Sequence, residues 1–282
     1  MLEKICFTDV TTFQAVATCF SFATMYVGSL YVRTQFLPRD HPQTIKERFL
    51  RVTVVSILAC VVVYMSSSSL CGVHMKGSIL EWIGIRWSGF IPAIILPSLL
   101  IIILFLGPMM MFILDHGITS LTCYKLTDII LWRNFFVAPL SEELVFRGCM
   151  MPLLVPCLGQ FTSILLAPWF FGLAHFHHAY EQYKTGYHTL SAIVISTIFQ
   201  ASYTTVFGIL SSFIFLRTGH LTSAFMSHAL CNIMGFPEFE LALSHKRRNF
   251  VCFCFVLGLV IFLLSLYPLT NPLIYNNTLY FE

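Results

Sequence analysis

Glu142 and Glu143 stand side by side, with Arg147 one helical turn beyond. They lie within Ala138-Pro139-Leu140-Ser141-Glu142-Glu143-Leu144-Val145-Phe146-Arg147-Gly148-Cys149, a run otherwise suited to lipid. A charge at bilayer depth costs about 2.5–3.5 kcal/mol on insertion scales, so such residues are usually paired and mark function by default. On a helix Glu143 and Arg147 are i and i+4 and can pair. Glu142 points about 100° away from its neighbour and can face a cavity.

Two further stretches carry polar groups of a complementary kind. Phe171-x-x-x-His175 puts a histidine at the end of an apolar run, followed by His177 and His178. His228-x-x-x-Asn232 sets an imidazole and an amide side by side on another helix. Taken singly, such a histidine or His–Asn pair is more often helix–helix glue. Taken with the two acids, the set suits hydrolysis of a carbonyl by water. Glu142, partly buried, can take a proton from water. His175 can hold that water or pass the proton to the leaving amine. His228 and Asn232 can donate to the oxyanion, where one lost donor costs about 100–1000-fold in rate. Glu143 and Arg147 read as the orienting pair.

A metal alternative uses the same residues, with Glu142, His175 and His228 as a zinc set, although no HExxH helix is present. Ser141, Cys149 and Ser227 lie near these residues without an evident base, so no metal and no serine or thiol nucleophile is expected.

The elements that position these groups are apolar segments. Against a span of about 20 residues, the sequence predicts about eight, near 13–32, 51–68, 90–114, 135–155, 160–177, 189–216, 220–235 and 249–269. Arg33, Arg39, Lys46, Arg48 and Arg51 make the first loop basic, and Lys246, Arg247 and Arg248 the seventh. Both loops face one side in this scheme, which the positive-inside rule makes cytosolic. Glu142, His175, His228 and Asn232 then gather at a similar depth below that face. The loop 69–89 reads as an interfacial anchor with Trp82 and Trp87 at headgroup level.

Composition agrees with this organisation. The 282 residues are 57% hydrophobic and only 10% charged, which excludes an ordinary soluble domain. The fold class expected is all-α, a single polytopic membrane domain over 1–282, its helices surrounding a cavity open to cytosol and bilayer. No arginine–aromatic patch suggests nucleic acid. The ten cysteines show no CxxC pair, so no disulfide framework or cysteine-rich zinc site is expected.

In order and spacing, Glu142-Glu143-x-x-x-Arg147, Phe171-x-x-x-His175 and His228-x-x-x-Asn232 resemble the three motifs of the CAAX protease and bacteriocin-processing (abortive infection) membrane superfamily. The flanks, Ala138 to Arg147, Phe171 to His178 and Arg217-Thr218-Gly219-His220-Leu221, are similar to its eukaryotic CAAX endopeptidase branch. The match covers about 130–237. The resemblance implies an endoplasmic reticulum enzyme with a site open to the cytosol and to membrane lipid. Its substrates would be farnesylated or geranylgeranylated CAAX proteins such as Ras-like small GTPases, losing their last three residues. It assigns water activation to Glu142 with His175, and the oxyanion site to His228 with Asn232. The rival from another class is a transporter or non-catalytic scaffold, which would tolerate Glu142→Gln.

Overall fold

The computed structural model describes residues 3–32, 37–69, 77–117, 127–186 and 189–281. Arg33 of the first basic loop and residues 70–76 of the interfacial loop lie outside the described residues. The described chain is helical, with no strand beyond the bridges Ile5–Gly77 and Cys6–Ser68.

In chain order the helices are α1 (Thr12–Ser29), α2 (Pro42–Met65), α3 (Ile79–Trp82), α4 (Phe90–Leu104), α5 (Leu106–His116) and α6 (Ile129–Trp132). They continue with α7 (Ala138–Glu143), α8 (Met150–Ala174), α9 (His177–Thr185), α10 (Leu190–Thr218), α11 (Leu221–Met234), α12 (Phe239–Ser244) and α13 (Arg248–Leu269). Two wider π-helical turns, Arg133–Val137 and Leu144–Cys149, flank α7. Pro139 explains the first. It has no N–H to close the α-helical turn, and the Ala138 N–H reaches back five residues to the Arg133 carbonyl. Such turns are often found at functional sites.

Each of the eight predicted segments is helical. Among the described residues four helices are long and apolar enough to cross a membrane: Pro42–Met65, the continuous stretch Ile129–Lys184, Leu190–Thr218 and Arg248–Leu269. A fifth is added if α4 and α5, bent by 67° at Phe105, count as one. α1 and α11, with 18 and 14 residues, do not meet that standard. The 129–184 stretch is two rods, because its backbone leaves the helix at Gly159 (φ 77°, ψ 166°), a conformation essentially confined to glycine. That break separates the predicted 135–155 and 160–177 segments.

α8 packs between α1 and α10, while α11 and α13 pack on α4. α7 and the second π turn lie where these groups meet, against α1, α2, α10 and α11. The apolar side chains left exposed, such as Val256, Leu263 and Leu264 of α13 and Ile195 and Val206 of α10, form the surface that lipid covers.

At one end of the bundle the two termini meet. Trp82 is fully buried, edge-on to Phe7 at 5.0 Å and to Tyr280 at 5.5 Å, and its Nε1 donates to the Ile5 carbonyl at 3.0 Å. Trp82 is therefore a core residue and not a headgroup anchor; the N- and C-terminal segments cover it. Trp87, by contrast, is 90% exposed. Cys6 is disulfide-bonded, a covalent tie that cysteine spacing did not suggest, whereas Cys19, Cys60, Cys149, Cys157 and Cys231 are free thiols.

Candidate active site

Glu143 is fully buried and fully occupied. Arg147 Nη1 donates to its Oε1 at 3.0 Å, and Ser211 Oγ donates to its Oε2 at 2.7 Å. His228 Nδ1 approaches the same Oε1 at 2.7 Å. Because a carboxylate only accepts, Nδ1 carries the proton and the ring is fixed through that nitrogen. Its other nitrogen, Nε2, faces Glu142 Oε2 at 3.7 Å. Breaking such a buried ion pair by removing one partner costs about 3–5 kcal/mol, so the group is built as a unit. Aromatic faces complete it. The Arg147 guanidinium lies 4.4 Å over the Phe171 ring, and Phe207 packs 4.9 Å from His228.

Glu142, one residue earlier, behaves differently. It is about a fifth exposed and is the one acid lining a cavity of about 120 Å³ among the described residues. His175 lines the same cavity. Its Nδ1 lies 2.8 Å from the Phe171 carbonyl. A carbonyl can only accept, so Nδ1 holds the proton and Nε2 is left with a lone pair. A carboxylate and a histidine with an unprotonated ring nitrogen thus line one cavity, which has room for several waters.

The structure brings Glu142, Glu143, Arg147, His175 and His228 together, from α7, the second π turn, the end of α8 and α11. It does not bring Asn232 to the cavity. That side chain is exposed at the end of α11, and its Nδ2 donates to the Asn134 carbonyl at 2.9 Å. His177 and His178 open the short helix α9, and both line the cavity. Ser141 is engaged with Tyr26 (2.8 Å), Ser227 with the Ser223 carbonyl (2.9 Å), and the Cys149 thiol lies 3.7 Å from that of Cys60. None of the three lines the cavity. Glu142, His175 and His228 do not gather at metal-binding separation. Among the described residues that arrangement belongs to His177, His178 and Glu181, whose ligand atoms lie within 4.8 Å of one another.

Sequence reasoning missed Ser211, the second ligand of Glu143, and Tyr26, the partner of Ser141. Both are hydroxyl residues in apolar runs with no local pattern to single them out. It also read Arg39 and Arg48 only as a topology signal, whereas both line the cavity with Arg133.

The sequence matches known proteins. Residues 126–234 match the type II CAAX prenyl endopeptidase Rce1-like family, a range that contains all six motif residues. The human CAAX prenyl protease 2 is 44% identical over 93% of this chain and 83% of its own. The chain belongs to the CAAX prenyl protease 2 family. Its Arabidopsis thaliana relative of the same name is 33% identical over 94% of this chain and 92% of its own. The Saccharomyces cerevisiae one is 32% identical over 75% and 76%. No solved structure matches the chain. Membership in the CAAX prenyl protease 2 family makes the chain a protease of the membrane, and the cavity beside Glu142 is its candidate active site.

Proposed function

We propose that the chain removes the C-terminal tripeptide from farnesylated or geranylgeranylated CAAX proteins, Ras-like small GTPases among them, with Glu142 activating the attacking water. The observation that carries this reading is the division between adjacent acids. Glu143 is consumed by Arg147, Ser211 and His228, which leaves Glu142 as the carboxylate at the cavity.

Water held between Glu142 and His175 Nε2 gives its proton to one of them, and its oxygen bonds to the carbonyl carbon of the prenylcysteine. His228 acts in its doubly protonated form, giving Nδ1–H to Glu143 and Nε2–H to the resulting oxyanion. Asn232 joins it once its amide leaves the Asn134 carbonyl, a rotation its exposure permits. The C–N bond then breaks, and the proton passes to the leaving amine. The products are a prenylcysteine carboxylate and a free tripeptide. The apolar wall of Val27, Leu30, Phe49 and Val52 suits the prenyl chain, which enters from membrane lipid.

The reading places the protein in the endoplasmic reticulum membrane with the site open to the cytosol. Basic residues at the cavity end, Arg39, Lys46, Arg48 and Arg51, support that orientation. The disulfide at Cys6 suits an oxidising lumen on the other side. The test is tripeptide release from a farnesylated CAAX peptide by the purified chain, with and without a zinc chelator. Release that survives chelation is expected. Loss on chelation, restored by zinc, would overturn the metal-free mechanism, and no release under either condition would overturn the peptidase reading.

A further inference from the structure

The cavity beside Glu142 has an imbalance of charge that water activation does not use. Three arginines line it, Arg39, Arg48 and Arg133, together with His175, His177 and His178, against the single acid Glu142. Their acidic partners, Glu181 and Asp40, sit outside the cavity lining and are shared or exposed. Arg48 Nη2 pairs with Glu181 Oε1 at 3.1 Å, and Arg39 Nη1 with Glu181 Oε2 at 3.4 Å, so one carboxylate serves two guanidiniums. His178 Nδ1 is also 3.4 Å from that carboxylate. Arg133 Nη1 pairs with Asp40 Oδ1 at 2.7 Å, an acid whose side chain is 65% exposed, and its Nε donates to Asn134 Oδ1 at 2.9 Å.

Arg48 stands out within this set. Its side chain is 14% exposed, and its Nε is buried with no hydrogen-bond partner. A buried donor left unmade costs about 1–3 kcal/mol, a penalty relieved when an acceptor arrives. Nε and Nη2 lie on the edge of the guanidinium that grips a carboxylate with two parallel hydrogen bonds. Glu181 takes Nη2 and leaves Nε open. The free half of that fork is suited to one more carboxylate oxygen.

On the endopeptidase reading such an oxygen is supplied by the substrate itself. A tail of three residues ends in an α-carboxylate, and an extended chain advances about 3.3–3.6 Å per residue. The terminal charge therefore lies about 10 Å from the scissile carbonyl. We infer that Arg48, with Arg39 and Arg133, forms a carboxylate site at the mouth of the cavity that holds the free C-terminus of the substrate. The site acts as a ruler: the end of the chain is anchored on the arginines, and the bond three residues back lies at Glu142. This inference rests on the endopeptidase reading and deepens it. It also gives the basic residues at 39 and 48, which lie outside the matched family range of 126–234, a role in specificity beyond membrane orientation.

The test compares two farnesylated CAAX peptides, identical except that one ends in a free carboxylate and the other in a carboxamide. The purified full chain in lipid bicelles is expected to prefer the acid by about 10–100-fold in kcat/KM, the range for a charge-assisted hydrogen-bonded pair. Arg48→Gln should collapse the acid-to-amide ratio toward one, mainly by raising KM for the acid. Arg133→Gln, on a separate element, should lower the ratio independently. Glu181→Gln, which frees the Arg48 fork, should lower KM for the acid. A wild-type ratio near one would overturn the proposal and leave the arginines to lipid headgroups. So would equal losses on both peptides in Arg48→Gln and Arg133→Gln, the signature of a structural role. Cleavage of neither peptide by the wild-type chain would overturn the endopeptidase reading and this inference with it.

Discussion

The two ends of the bundle bury polar groups in opposite ways. At the end where the termini meet, Arg217 sends Nε to Thr270 Oγ1 at 2.9 Å and Nη2 to the Tyr267 carbonyl at 3.0 Å, and lies 3.8 Å over the Tyr267 ring. Asn277 Nδ2 donates to the Leu216 carbonyl at 2.7 Å, and Tyr280 OH to the Trp82 carbonyl at 2.8 Å. These donors close on backbone carbonyls and hydroxyls, with no acid and no cavity among them. At the other end Arg147, Ser211 and His228 all close on one carboxylate, Glu143. Beside them, however, Glu142 and His175 line the cavity, and Arg48 Nε is buried without a partner. One end turns its polar groups to backbone and hydroxyl partners; the other sets charged groups around a cavity.

That contrast can be broken most severely at Glu143. Glu143→Ala leaves Arg147 buried without its counter-charge and should cost about 3–5 kcal/mol of folding free energy, read as a lowered Tm in detergent, with activity lost as well. Asn232→Ala removes a proposed oxyanion donor from an exposed position. Tripeptide release should fall about 100–1000-fold in kcat with Tm unchanged; a fall below tenfold would return Asn232 to its contact with Asn134. Ser211→Ala takes one of three donors from Glu143 and should destabilise by about 1–3 kcal/mol, with Arg147 and His228 still in place. Arg217→Met, at the opposite end, should cost a similar 1–3 kcal/mol in stability while kcat/KM per folded molecule stays at the wild-type value. A large kinetic effect there would show that the two ends are coupled.

Much of the site was legible because its signals are local. A charge in an apolar run is conspicuous, and i, i+4 spacing alone joins Glu143 to Arg147 and sets His228 beside Asn232. The histidine closing an apolar run extended that reading to His175, and the family motifs assign it the same role. What was not legible is long-range. The contact between His228 and Glu143 spans 85 residues, and that of Ser211 with Glu143 spans 68. No spacing rule reaches so far. Ser211 also lies among many hydroxyls of α10 that return their hydrogen bonds to their own helix, as Thr204 and Thr218 do. The segments were readable from hydropathy, but their bends were not. Gly159 breaks the 129–184 helix with nothing crowding its Cα, so its role is visible only in its torsion angles. Trp82 was misread for a related reason. Its neighbours resemble an interfacial loop, and only the folding back of Phe7 and Tyr280 makes it core. Arg48 was read as a topology signal because positive charge near a span has that meaning wherever the loop packs.

The most direct measurement compares Glu142→Gln with Glu143→Gln under single-turnover conditions on a farnesylated CAAX peptide, with Tm recorded for both. Glu142→Gln should hold the wild-type Tm and lose about 100–10,000-fold in rate, the span expected when a general base is removed. Glu143→Gln should instead lower Tm, because Arg147 loses its counter-charge. A Glu142→Gln protein that still releases tripeptide within tenfold of wild type would contradict the account.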